Sequence, residues 1–180
     1  MMSQEFEFTS NSDIINKNAQ FDDKTKRTFC TTSTVGAKPN DIYALAKAFL
    51  CISSMTHKKL QKLCYYAKAW YLALYNRNII EEQFEAWVHG AVQPDLYHRY
   101  RVYGFSDIPK ETDQSHIPEE YLSFAREVYA SYGHLSGDDL ERLNHSEMPW
   151  IKARGDCAPW EKCNNTISEE SMRDYYRSRL

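Results

Sequence analysis

The residues best suited to chemistry in this chain form three small groups. His145 and Glu147 flank a single serine and are followed by Met148-Pro149-Trp150. A histidine beside a carboxylate can exchange protons with a substrate. The same Glu147 also stands where it can accept the free N–H groups of a helix opened by Pro149, and that structural role is the preferred reading. Cys157 and Cys163 are the second group, with His134 and His145 as candidate companions for a metal. They lack the CxxC spacing of a zinc site, so no metal is expected. The third group is basic: His57, Lys58, Lys59, Lys62 and Lys68. It reads first as a solvated helix face, and next as a contact for an acidic protein surface. Direct nucleic-acid contact is disfavoured, because acidic residues outnumber basic ones and the net charge is −3. No glycine-rich phosphate loop, nucleophile elbow or His-Glu-x-x-His motif occurs. The expectation is a protein without catalysis or cofactor.

These groups are positioned by helices. The clearest runs from near His57 to near Tyr75, where Leu60, Leu63, Cys64, Ala67, Trp70, Tyr71 and Leu74 recur at helical spacing. Lys58, Lys59, Gln61, Lys62 and Lys68 fall mostly off that stripe. Before it, Asn40 or Asp41 caps a helix carrying Ile42, Leu45, Ala46, Phe49 and Leu50, and Thr56 caps the central one. Ile79 to Val88 reads as an extended segment or a short helix. Pro94 opens a helix with Leu96, Tyr97, Tyr100 and Val102 or Tyr103 inward, closed by Gly104. Phe105 to His116 is a polar loop. Further helices start at Pro118, Ser136, Pro149 and Ser168. The predicted fold is mainly α, a single domain of six to seven helices with at most a short strand over residues 39–180.

Residues 1–38 have a different texture, rich in Ser, Thr, Asn and Lys without a sustained period. They read as a flexible extension, with a strand near Glu5–Thr9 or a helix near Asp13–Asn18 as local options. Neither a signal peptide nor a membrane span is evident, so a cytoplasmic protein is expected. Five cysteines, an odd number, do not form a disulfide framework, and Cys51 and Cys64 read as core residues. The 13 Tyr, 4 Trp and 8 Phe exceed what most domains carry, enough to fill a core and leave some for a contact surface.

The run from Lys59 to Trp70, Lys-Leu-Gln-Lys-Leu-Cys-Tyr-Tyr-Ala-Lys-Ala-Trp, resembles the defining helix of the Panacea domain of SocA-like and GepA-like phage-associated proteins. Downstream, Glu85 to Pro94 is similar to that family's Glu-Ala-Trp…Gly-Pro-Val turn, followed by its helix at Leu96-Tyr97. Tyr132 to Gly137, Leu143 to Trp150, Ile167-Ser168 and Tyr175-Tyr176 resemble its later elements, in the same order, so that the likeness extends over about residues 41–180. Ala91 departs from the pattern, which usually has proline there. The resemblance implies a bacterial, often prophage-borne antitoxin that binds a toxin encoded by a neighbouring gene. Residues expected at that contact are Lys58, Lys59, Lys62 and Tyr66 on an exposed side of the central helix, with Trp87, His98 and Trp150 nearby. The rival readings are a small enzyme using His145 and Glu147, and an adaptor that presents a client to a protease.

Overall fold

A computed structural model describes residues 41–180. The expectations for residues 1–38, together with Cys30 and the capping option at Asn40, lie outside the described residues. Helix α1, Ile42–Ile52, is capped by the Asp41 side chain, which accepts from the Tyr43 N–H at 2.9 Å. Strand β1, Met55–Thr56, leads into α2, His57–Tyr75, whose Thr56 cap accepts from Lys59 N–H. Asn76 ends α2 in the left-handed conformation, where a short polar side chain is tolerated.

Strands β2, Glu85–Trp87, and β3, Gly90–Val92, make an antiparallel hairpin with a two-residue turn at Val88-His89. Then come α3, Pro94–Tyr100, a 3-10 turn at Arg101–Tyr103, and β4, Asp107–Ile108, which pairs with β1. Four helices complete the chain: α4, Glu119–Tyr132; α5, Gly137–His145; α6, Met148–Arg154; and α7, Glu169–Arg177. Ser136 and Asp139 form a reciprocal capping box on α5. The described residues are therefore mainly helical, with seven α-helices and only short strands, as the sequence predicts.

Helix α2 is the axis of the domain. It packs against α1, α3, α4, α5 and α7, and every residue from Leu60 to Ala73 is buried. Its sequence is amphipathic, yet its surroundings are not. The polar positions expected to face solvent instead face backbone from other elements. Gln61, Lys62 and Lys68 are all buried, which corrects the reading of this row as a solvated face. Around the apolar side, Tyr66 stacks on Tyr132 at 4.3 Å and Trp70 meets Tyr176 edge-on at 5.0 Å. The Trp70 indole donates to the Tyr132 hydroxyl at 2.8 Å. These rings account for much of the tyrosine excess as core.

Two other expectations change. The Pro94 helix ends at Tyr100, and Val102 points outward at 82% exposure, because the tighter 3-10 turn rotates residues 101–103 away from the helical face. The Glu147 carboxylate makes no cap bond to α6, although Glu147 occupies the cap position. It turns inward instead.

Candidate functional site

Three residues of α2, Gln61, Lys62 and Tyr66, form the first line of a buried polar clamp. The Gln61 amide both donates to the Gln93 carbonyl at 3.1 Å and accepts from the Gln93 N–H at 2.9 Å. Gln93 then caps α3 by accepting from Leu96 N–H at 2.6 Å. One turn position along, Lys62 donates its amine to the carbonyls of His89 at 2.5 Å and Ala91 at 3.0 Å. Those carbonyls lie on either side of Gly90. The α2 helix therefore holds the β2–β3 hairpin and the start of α3 through side chains that satisfy otherwise orphaned backbone groups.

Gly90 makes this approach possible. Its φ is +91°, and a Cβ there would lie 2.6 Å from Lys62 Nζ and 2.9 Å from Asn144 Oδ1. Asn144, on α5, accepts from the Ala91 N–H at 2.7 Å. At the position where the resembled pattern has proline, this chain thus keeps a donor and uses it. The Asn144 amide also reaches Glu147 Oε2 at 3.4 Å, and the same oxygen accepts from the hydroxyls of Tyr176 at 2.7 Å and Tyr66 at 3.3 Å. One network thus joins α2, the hairpin, α5 and α7. Burial pushes the Lys62 amine down to about 7 and the Glu147 carboxyl up to about 7.

This geometry rearranges the expected contact residues. Lys62 is 1% exposed and Tyr66 fully buried, so neither lies on an exposed helix side. Lys59 is half-buried, donating to the Gly133 carbonyl at 2.7 Å. Lys58 is also half-buried and bridges to Asp138 at 2.6 Å and to Glu141. His145 and Glu147 do not form a proton-exchanging pair. The His145 ring stacks on Trp150 at 4.3 Å, whereas the Glu147 carboxylate is bound by tyrosines in the core. Among the described residues no group of three His, Cys, Asp or Glu is placed to hold a metal.

Trp87 and Trp150 lie on the side of the hairpin, and His98 is exposed on α3. The Trp150 indole donates to the Trp87 carbonyl at 3.1 Å, and Tyr97 packs edge-on against Trp87 at 5.1 Å and beside His98. A groove of about 650 Å³ opens here, with Trp87, Tyr97 and Phe105 along its apolar side and His57, Lys58 and His89 along its polar side. Burial, with Lys62 and Lys58 adding repulsion, holds His57 below its ordinary range. Phe105 is fully exposed at the groove mouth. Sequence reasoning missed Phe105, hidden in a stretch that reads as a polar loop. It also missed Gln61, Gln93, Asn144 and Tyr176 as a connected network. The available signal was the polar residues set inside otherwise apolar helical runs.

No helix of the described residues is long and apolar enough to cross a membrane. Searches of curated proteins and of solved structures each found no match to the chain. The family model described as "Antitoxin SocA-like, Panacea domain" matches residues 60–151, just over half of the chain. The matched span begins at Leu60 on α2, passes through the hairpin and ends in α6, and so contains the clamp from Gln61 to Glu147. The chain belongs to the SocA-like antitoxin, Panacea-domain family.

Proposed function

We propose that this protein is an antitoxin that neutralises a partner toxin by direct, non-covalent binding and catalyses no reaction of its own. The observation that carries the proposal is membership of the antitoxin-like family. The clamp is consistent with it. The carboxylate best placed in sequence for acid–base work is 1% exposed and bonded to Tyr66, Tyr176 and Asn144, where it acts as a structural acceptor.

The groove beside the hairpin is the surface we assign to the toxin. It combines three aromatic side chains with two histidines and Lys58, a mixture suited to an interface anchor surrounded by polar contacts. Phe105 is free to enter a pocket on the partner. Trp87 and Tyr97 are held in place by each other and by the Trp150 bond, which lowers the ordering cost of binding. Of the contact residues inferred from sequence, Lys58 and Trp87 stay in this assignment, whereas His98 does not line the groove. Trp150 supports it from behind.

The test is co-expression with the neighbouring gene. That gene alone should arrest growth, and this chain should restore it while copurifying in a stable complex. Phe105→Ala should weaken the complex by roughly 30-fold, the effect of losing an anchor worth about 2 kcal/mol. Its melting temperature should not move, because the ring packs on nothing in the free protein. Growth rescue without any complex would reject stoichiometric neutralisation. His145→Ala should still protect cells; loss of protection by a folded H145A protein would favour an enzyme.

A further inference from the structure

The chain between α6 and α7 contains Cys157 and Cys163. Their Sγ atoms are 2.7 Å apart. That separation is only about 0.7 Å longer than an S–S bond. Cys163 is buried and Cys157 half-buried, so the pair has one inner and one outer thiol. The loop that joins them is held from outside the ring. Arg154 donates to the carbonyls of Ala86 at 3.3 Å and Glu161 at 3.0 Å, and also to Ala158. Cys157 N–H donates to the Arg154 carbonyl at 3.0 Å, and Ala158 N–H to the Glu161 carboxylate at 3.1 Å. The two thiols are thus brought together by a fixed backbone.

We propose that Cys157 and Cys163 are a redox dithiol that closes an intramolecular disulfide under a hydroperoxide and is reopened by a small thiol. This inference is independent of the antitoxin reading. The Cys157 thiolate, the more accessible sulfur, attacks a peroxide oxygen. The O–O bond breaks, and the leaving oxygen takes a proton and departs as water or alcohol, giving a sulfenic acid at Cys157. The Cys163 thiolate then attacks that sulfur. The S–O bond breaks and hydroxide leaves, to be protonated to water. Two electrons pass from the two sulfurs to the peroxide, and the S–S bond forms. Reopening runs by exchange with two equivalents of a small thiol, which leaves as its own disulfide. The hydrogen bond that Cys157 donates to Cys163, together with burial, raises the Cys157 thiol, so closure should accelerate with rising pH.

The disulfide would brace a stretch that already pairs with the hairpin. The Asn165 carbonyl accepts from Ala86 N–H at 2.9 Å, and Ile167 N–H donates to the Phe84 carbonyl at 2.8 Å. A covalent ring closing at Cys163, two residues before Asn165, restricts that second, strand-like neighbour of β2. An oxidant would thereby stiffen the element that carries Trp87.

Hydrogen peroxide is added to the full-length reduced protein, which is then digested with trypsin without reduction. Cleavage after Arg154, Lys162 and Arg173 should release residues 155–162 joined to residues 163–173. The denatured thiol count should fall from five to three and return on treatment with dithiothreitol. Cys157→Ser and Cys163→Ser should each abolish the joined peptide, with circular dichroism showing that both variants remain folded. The proposal is overturned if these two peptides stay separate while thiols are consumed. A sulfinic acid at either cysteine without the joined peptide, or cross-links to Cys30 or between chains in its place, would also overturn it.

Discussion

Replacing Lys62 by methionine tests whether the central helix really holds the hairpin through a buried amine. Methionine keeps the length and most of the volume of the stem but removes the donor. The carbonyls of His89 and Ala91 then lose the bonds recorded at 2.5 and 3.0 Å. Each buried acceptor left unpaired costs about 1–3 kcal/mol, so the two together should cost roughly 2–4 kcal/mol once the hairpin relaxes. Removing a buried ionisable group opposes this loss wherever the unfolded chain holds a proton that the fold rejects. The sign follows from the direction of the shift. Lys62 titrates at about 7 in the fold, below the ordinary lysine value of 10.5, so between those values the unfolded state binds more protons. Wild-type stability therefore rises with pH across that window, by up to about 1.4 kcal/mol per unit.

The difference between wild type and Lys62→Met isolates this contribution, because the other titrating groups are common to both proteins. It should be small near neutral pH, where the cost of deprotonating the amine offsets its hydrogen bonds. It should widen by roughly 2 kcal/mol two pH units higher. For a chain of this length that widening corresponds to roughly 4–8 °C in melting temperature. Thermal unfolding followed by far-ultraviolet circular dichroism at neutral and alkaline pH measures it. A difference that stays flat would refute the depressed amine. One that shrinks with pH would show that the fold binds the ammonium form.

Gly90→Ala should be destabilised by roughly 2–4 kcal/mol in chemical denaturation, since it combines a strained positive φ with a Cβ driven onto Lys62 Nζ and Asn144 Oδ1. Glu147→Gln should show the opposite pH behaviour to Lys62→Met. The Glu147 carboxyl titrates at about 7, above its ordinary 4.5, so its stabilising protonated form is lost as pH rises through that interval. Glutamine remains an acceptor for Tyr66 and Tyr176 and has no such loss. The variant should therefore be more stable than wild type by roughly 1–3 kcal/mol above neutral pH and lose that advantage near pH 5, as calorimetry would show.

Much of the helical architecture was legible because it follows from local chemistry. Asp41, Thr56, Ser136 and Ser168 cap helices where short polar side chains precede apolar periodicity. Leu60 to Leu74 specify a helix by spacing alone. The hairpin was not legible as such, since Glu85 to Val92 has only three residues per strand and depends on Lys62 and Asn144 for its carbonyls and N–H groups. The 3-10 turn that sends Val102 outward follows from how the chain leaves α3, and residue type does not reveal it.

The sequence by itself determined the helices, their caps, the mainly α class and, through the ordered motifs from Lys59 to Tyr176, the family. Tertiary structure alone decided what the motif residues do. A period of 3.6 assigns Gln61, Lys62 and Lys68 to the polar side of α2, and polarity then suggests solvent. Whether that side meets water depends on what packs against it. Here it meets the carbonyls of Gln93, His89, Ala91 and Glu82, so the same residues become internal donors, while Lys58, Trp87 and Phe105 line the groove beside the hairpin. Periodicity reports the direction of a side chain from its own helix, whereas burial is a property of its neighbours, which only the folded chain supplies.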